Sequence, residues 1–235
     1  MDELKMQKKQ EKKERKCEKK MRIRELNQPP HLSVLEEIGN AVTHGVGAIL
    51  AIVGLVLMLL KSDTLTKALA SWVYGLSMFL MMIMSCLYHS FRYGSTVKRI
   101  FRRFDYSSIY LLIGGTFAPL LLVYCDDILG IVWFIIQWVL IITGITMVGV
   151  FGPGRLKWLH FPLYFILGWS GLYFVPSMIQ NNLSLFIGIL MGGLVYTLGM
   201  IPFCKRGVKS AHFIWHFFVL AGAIIHFFAI YMFVF

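Results

Sequence analysis

Charged side chains are scarce in most of this sequence. They make up 15% of the 235 residues, hydrophobic residues make up 57%, and the mean hydropathy is +0.69. Soluble domains contain about 25% charged residues. Residues 1–26 hold 11 of the 23 Lys and Arg and six of the 12 Asp and Glu. The composition therefore excludes a soluble domain for the rest of the chain.

Other absences narrow the function classes. The four cysteines form no C-x-x-C motif and no spacing typical of a disulfide framework. The first 26 residues are too polar to contain the apolar segment of a secretory signal. Although the net charge is +11, the basic residues lie in a tail and in short loops. We therefore expect no nucleic-acid partner.

Seven apolar runs of about 20 residues contain no Lys or Arg, and this length spans a hydrocarbon layer of about 30 Å. They cover residues 41–60, 72–90, 106–124, 128–150, 158–179, 183–203 and 213–235. The sequence predicts an all-α membrane protein, a seven-helix bundle in the cell membrane. Residues 1–35 are predicted to form a flexible basic tail, and residues 36–235 the transmembrane domain.

The distribution of basic residues predicts the orientation. The tail has 11 Lys and Arg, and the loops after spans 2, 4 and 6 have five, two and three, whereas the opposite side has only Lys61 and Lys67. The positive-inside rule places the N-terminus in the cytoplasm and the C-terminus outside. The tail either fixes this topology without a specific partner or also binds anionic lipid, which contributes about 1 kcal/mol per basic residue.

Polar residues in four of the spans are predicted to lie at one depth, near the cytoplasmic surface, because spans 1, 3 and 7 enter from that side and span 2 returns to it. Ionisable groups in such surroundings usually mark function. The residues are Glu37, Asn40, His44, Ser85, His89, Asp105, His212 and His216.

The histidines of this layer predict a metal site. His212 and His216 are four residues apart and share a helix face, and His89 ends span 2. Three imidazoles and a water form the open Zn²⁺ site typical of hydrolases. Asp105, at the start of span 3, is the candidate for holding the water and accepting its proton. The alternative for Asp105 is a carboxylate that complements the helix dipole. Ser85 is a second candidate catalytic residue.

Three motifs resemble the hemolysin III family, the bacterial branch of the progestin and adipoQ receptor superfamily. They are Glu37-x-x-Asn40-x-x-x-His44, Ser85-x-x-x-His89 followed by Asp105, and His212-x-x-x-His216. The resemblance implies seven helices, a cytoplasmic N-terminus, zinc held by the three histidines, a water near Asp105 and kinship with membrane ceramidases. Glu37, Asn40 and His44 are expected to support the ligands.

Three functions stay open at this point. The first is a zinc-dependent hydrolase of a lipid amide or ester. The second is a non-enzymatic membrane regulator or receptor-like protein in which zinc is structural. The third is a hemolysin-type pore or channel, although the sequence shows no ring of charges to line a path.

The predicted topology can be tested with tags on intact cells. A tag on the C-terminus should react with an impermeant reagent from outside, and a tag on the N-terminus only after the cytoplasm is opened. A C-terminal tag that stays protected until lysis would contradict the odd number of spans.

Overall fold

The computed structural model describes residues 2–204 and 210–235, and this part of the chain is helical without strands. Lys205, Arg206 and Lys209, which contribute to the predicted charge bias, lie outside the described residues. The α-helices are α1 (Asp2–Leu26), α2 (Val34–Lys61), α3 (Leu65–Ser90), α4 (Thr96–Pro119), α5 (Ile128–Phe151), α6 (Lys157–Trp169), α7 (Val175–Asn181), α8 (Leu183–Cys204) and α9 (Ala211–Phe233).

Six of these helices are long and apolar enough to cross a membrane, and a bent pair, α6 with α7, gives a seventh span. A 3-10 helix, Ser170–Phe174, joins α6 to α7, and a π-helical turn, Leu120–Tyr124, extends α4. The all-α prediction is confirmed, and the count is seven when the bent pair is one span. The side of the membrane on which each terminus lies stays a prediction.

Helix α4 begins ten residues before the predicted span, at Thr96, with the Ser95 side chain accepting a hydrogen bond at the N-cap. The hydropathy of the sequence did not predict residues 96–104 as part of the helix, because they carry four basic side chains. Lys and Arg are nevertheless good helix formers. Asp105 therefore lies in the helix interior. The dipole interpretation of Asp105 was wrong, since that effect is confined to the first turn.

The packing brings α2 and α9, the first and last of the membrane-spanning helices described, into contact. Helix α2 packs against α3 and α9, α4 packs between α3 and α5, and α8 lies against α9. The segment predicted as a flexible tail is helical from Asp2 to Leu26, and nearly all of its described side chains are exposed. The division of the chain at residue 35 stays a prediction.

Glycines allow close helix contacts in this bundle, and Gly144 in α5 provides a test. A Cβ at Gly144 would lie 2.4 Å from Cζ of the fully buried Tyr110. We expect Gly144→Ala to destabilise the protein by about 1–3 kcal/mol through overpacking. Thermal unfolding in detergent measures the effect.

Gly149, in the same helix, is the matched control because a Cβ there meets nothing within 4 Å. Gly149→Ala should be neutral or stabilising by up to about 1 kcal/mol, the difference in helix propensity. Equal melting temperatures for the two variants would contradict the packing of α4 against α5.

Candidate metal centre

Three imidazoles converge between the C-terminal end of α3 and the N-terminal end of α9. One ring nitrogen from each of His89, His212 and His216 lies within 4.8 Å of the other two. His89 and His216 are buried, and His212 is half-buried. The spacing of His212 and His216 puts both rings on one face of α9 because residues four apart are neighbours on a helix. This group could hold a metal ion.

Glu37 sets the orientation of the His89 ring. Nδ1 of His89 lies 2.6 Å from Oε2 of Glu37, on α2. A carboxylate accepts hydrogen bonds only, so Nδ1 carries the hydrogen and Nε2 presents its lone pair to the other two rings. Carboxylate–histidine pairs of this kind fix the tautomer of metal-binding histidines and raise their basicity.

Two of the three nitrogen spacings match those of a tetrahedral metal site. Nε2 of His212 lies 3.3 Å from Nε2 of both His89 and His216. Bonds of about 2.0–2.1 Å from zinc to nitrogen at tetrahedral angles put ligand nitrogens about 3.3–3.4 Å apart. Hydrogen bonds alone do not explain both contacts, because His212 Nε2 must carry a hydrogen to donate to His89 and then has no lone pair for His216.

A buried lysine holds the other oxygen of Glu37. Nζ of Lys98, in the first turn of α4, lies 2.9 Å from Oε1 of Glu37. It also donates to the carbonyls of Tyr88 and Phe91, at 3.1 and 3.0 Å. These three acceptors satisfy an ammonium group that is fully buried. The sequence indicated Lys98 only as a topology charge, since nothing in its spacing shows burial.

Asp105 reaches the centre through Ser85. The Asp105 carboxylate lies close enough to the Ser85 side chain and to His89 to interact electrostatically with both. Ser85 lies one turn before His89 on α3 and is buried. The carboxylate is not one of the three converging ligands. Asp105 therefore lies beside the three histidines and is not itself a candidate ligand.

The two other α2 residues predicted for this layer lie beside the histidines. The amide nitrogen of Asn40 is 3.4 Å from Nδ1 of His89. The His44 ring stacks on the His216 ring, with the centroids 3.9 Å apart, and both side chains are buried. All eight residues predicted to share one layer thus contribute to, or lie next to, one region of the bundle.

Glu36 fixes the start of the ligand-bearing helix α9. Its Oε2 accepts hydrogen bonds from the backbone and side chain of Ser33, forming a capping box. Its Oε1 accepts from the backbone N–H of Ser210, which has a positive φ of 62°. The Ser-x-x-Glu pattern at residues 33–36 is a sequence signal for the cap, but the contact with Ser210 depends on the fold.

An apolar cavity of about 140 Å³ lies in the bundle between α4, α6, α8 and α9. Trp215, the neighbour of His216, lines one part of it, and His226 lines another. These two residues are about 16 Å apart along the helix axis at 1.5 Å per residue. The cavity therefore extends from the depth of the metal group toward the middle of the bundle.

The contact between Glu37 and His89 predicts a measurable effect on metal binding. Glu37→Gln removes the charge that supports the His89 tautomer and also the partner of Lys98. We expect affinity for Zn²⁺ to fall by about 10–100-fold, the usual effect of losing such a partner. Titration with a competing chelator measures it, and Glu25→Gln in the exposed helix α1 is the control. An unchanged affinity would contradict this role.

Comparison with known proteins agrees with the geometry. A sequence model described as "Haemolysin-III related" matches residues 32–227. "Hemolysin-3" of Bacillus cereus is 37% identical over 201 residues, covering 84% of this chain and 91% of that protein. "Hemolysin-3 homolog" of Bacillus subtilis (strain 168) is 33% identical over 202 residues, with 84% and 94% covered.

A eukaryotic protein is also similar. "Monocyte to macrophage differentiation factor" of Homo sapiens is 31% identical over 202 residues, covering 83% of each chain. The family match covers most of the helical domain and includes all three histidines. The chain is an integral, multi-pass membrane protein, and it belongs to the haemolysin-III-related family.

Proposed function

We propose that this protein is a zinc-dependent hydrolase that cleaves an amide or ester bond of a membrane lipid. The observation that carries this proposal is the convergence of three imidazole nitrogens next to a carboxylate that is not a ligand. Catalytic zinc sites have three protein ligands and an open position, whereas structural sites are closed by four. No fourth His, Cys, Asp or Glu joins the group among the described residues.

His89, His212 and His216 would hold the zinc ion. When bound there, zinc supplies a Lewis acid that polarises a carbonyl group and lowers the pKa of water to about 7. Glu37 holds the His89 ring in the tautomer that presents Nε2. Lys98 keeps Glu37 ionised and in position through the contact with Oε1.

Asp105 is proposed to move the proton. A carboxylate oxygen of Asp105 accepts the proton of the attacking water and then donates it to the leaving amine or alcohol. The neighbouring Ser85 hydroxyl would donate to this carboxylate and orient it toward the histidines. The Ser85 hydroxyl has a single hydrogen to donate, so holding the oxygen of the substrate carbonyl is an alternative role to orienting Asp105.

The apolar cavity supports a lipid as the substrate. Its lining is largely aromatic and aliphatic, with only a few polar groups such as Thr116 and Thr197. An acyl chain could leave the hydrocarbon layer for this cavity without exposing apolar surface to water, because the lining is as apolar as lipid tails. The bond to be cleaved would then lie at the depth of the three histidines.

A regulator with structural zinc is the second candidate. The ligands come from α3 and α9, and Glu37 adds α2, so the metal would tie three helices together. The name of the human relative, a differentiation factor, agrees with such a role.

A pore is the third candidate function, because the names of the Bacillus relatives suggest haemolysis. Leakage of dye from proteoliposomes that contain the protein would detect a pore.

Asp105 distinguishes the hydrolase from the regulator. Asp105→Asn keeps the shape of the side chain but cannot accept a proton. We expect zinc content to stay near the wild-type level while hydrolysis falls by about 10²–10⁴-fold, the usual contribution of a general base. Fatty acid release from a panel of lipid amides and esters, measured beside metal content, tests this.

Two controls accompany the measurement. Asp63→Asn makes the same change at an exposed acid that pairs with Lys67 and should leave hydrolysis unchanged. His212→Ala or His216→Ala removes a ligand and should lose both zinc and stability. Wild-type protein with full zinc and no turnover on any lipid tested would reject the hydrolase and favour the regulator.

A further inference from the structure

The charges of helix α1 are sorted onto two faces, with Asp2 at the first residue as the exception. At 100° per residue its five glutamates fall within an arc of about 80°. The 11 Lys and Arg occupy the opposite arc of about 200°. The glutamates are Glu3, Glu11, Glu14, Glu18 and Glu25, and the centre of the basic face carries Lys5, Lys12 and Lys16. Basic residues surround this centre on both sides along the whole length of the helix.

This arrangement is unfavourable for a helix surrounded only by water. Among the pairs of charged residues four positions apart in residues 3–26, eight carry like charges and two carry opposite charges. Like charges at this spacing destabilise a helix, and opposite charges stabilise it. A helix that relied on its own ion pairs would alternate the signs. The sorted charges therefore indicate an anionic surface that faces the basic side.

Nothing in the described part of the chain covers that basic side. The side chains from Glu3 to Arg22 are exposed. The apolar residues do not form a stripe, because Leu4, Met6, Met21 and Ile23 point in four different directions at 100° per residue. The helix thus lacks the apolar face of helices that insert into the acyl layer. The Lys and Arg side chains of its basic face are suited to contact a surface of phosphate groups.

The residues after α1 fix its end to the transmembrane domain. The side chain of Asn27 donates to the Phe151 carbonyl and accepts from the Gly154 N–H, each at 3.0 Å. Nη1 of Arg102 donates to the Gln28 carbonyl at 2.9 Å. These contacts hold the end of α1 beside the loop from α5 to α6, where the helical domain meets the membrane surface.

We propose that the basic face of α1 binds the anionic headgroups of the lipid leaflet beside this loop. The glutamate face then points to water. The anchor at Asn27 keeps the end of the helix beside this loop, and at moderate salt charges act over a Debye length of about 10 Å. The family match begins at residue 32, so this lipid contact is an addition to the family's helical domain.

The full chain in lipid nanodiscs tests the proposal. In a background with the native cysteines changed to Ser, a nitroxide is attached at Lys16→Cys on the basic face or Met21→Cys on the glutamate face. With phosphatidylglycerol in the disc, accessibility of the position-16 label to a water-soluble relaxation agent should fall at least about threefold relative to phosphatidylcholine alone. The position-21 label should stay accessible, and high salt should reverse the protection.

A charge-swapped variant is the matched control. E11K/K12E/K13E/E14K/E18K/K19E keeps the composition and the net charge but mixes the two faces. Protection of the label at position 16 should be lost in this variant. The assay measures only the accessibility of the tail, so its result does not depend on whether the protein is a hydrolase. Protection that persists after the swap, or that appears equally in phosphatidylcholine, would overturn the proposal. If the label at position 16 is protected and its spectrum also shows spin–spin broadening, the partner of the basic face is a second copy of the chain instead of lipid.

Discussion

The buried ion pair between Lys98 and Glu37 is the interaction on which the candidate metal centre depends. An unpaired charge in apolar surroundings costs several kcal/mol. Lys98 is satisfied by Glu37 and two carbonyls of the α3 C-terminus. Glu37 in turn holds His89. One chain of polar contacts thus joins α4, α2 and α3, and it fixes the ring that faces His212 and His216.

The sequence predicted the helical domain well because crossing a membrane imposes a simple rule. Every backbone group in lipid must be satisfied within the segment, so long apolar runs become helices. The prediction failed where polar residues continue a helix, as at Thr96–Phe104 before the span. It also missed the 3-10 break at Ser170–Phe174, although Gly168, Gly171 and Pro176 near this break disfavour a continuous helix.

For the candidate site, the sequence identified the groups that are costly in an apolar layer but not their partners. His89, His212 and His216 stood out because ionisable residues are rare in the spans, and the structure brings them together. Lys98 and Asn27 did not stand out, because their roles depend on contacts with residues far along the chain. Spacing along one helix predicts a shared face, whereas burial between helices requires the tertiary structure.

The order of the ligands along the chain has a consequence for biogenesis. His89 is made early, and His212 and His216 lie on α9, the last helix of the chain. Proteins are synthesised from the N-terminus, and helices inserted first have to wait for later ones. The three nitrogens can therefore meet only after the last helix has entered the membrane. A metal that needs all three ligands can therefore bind only after α9 has packed beside α3.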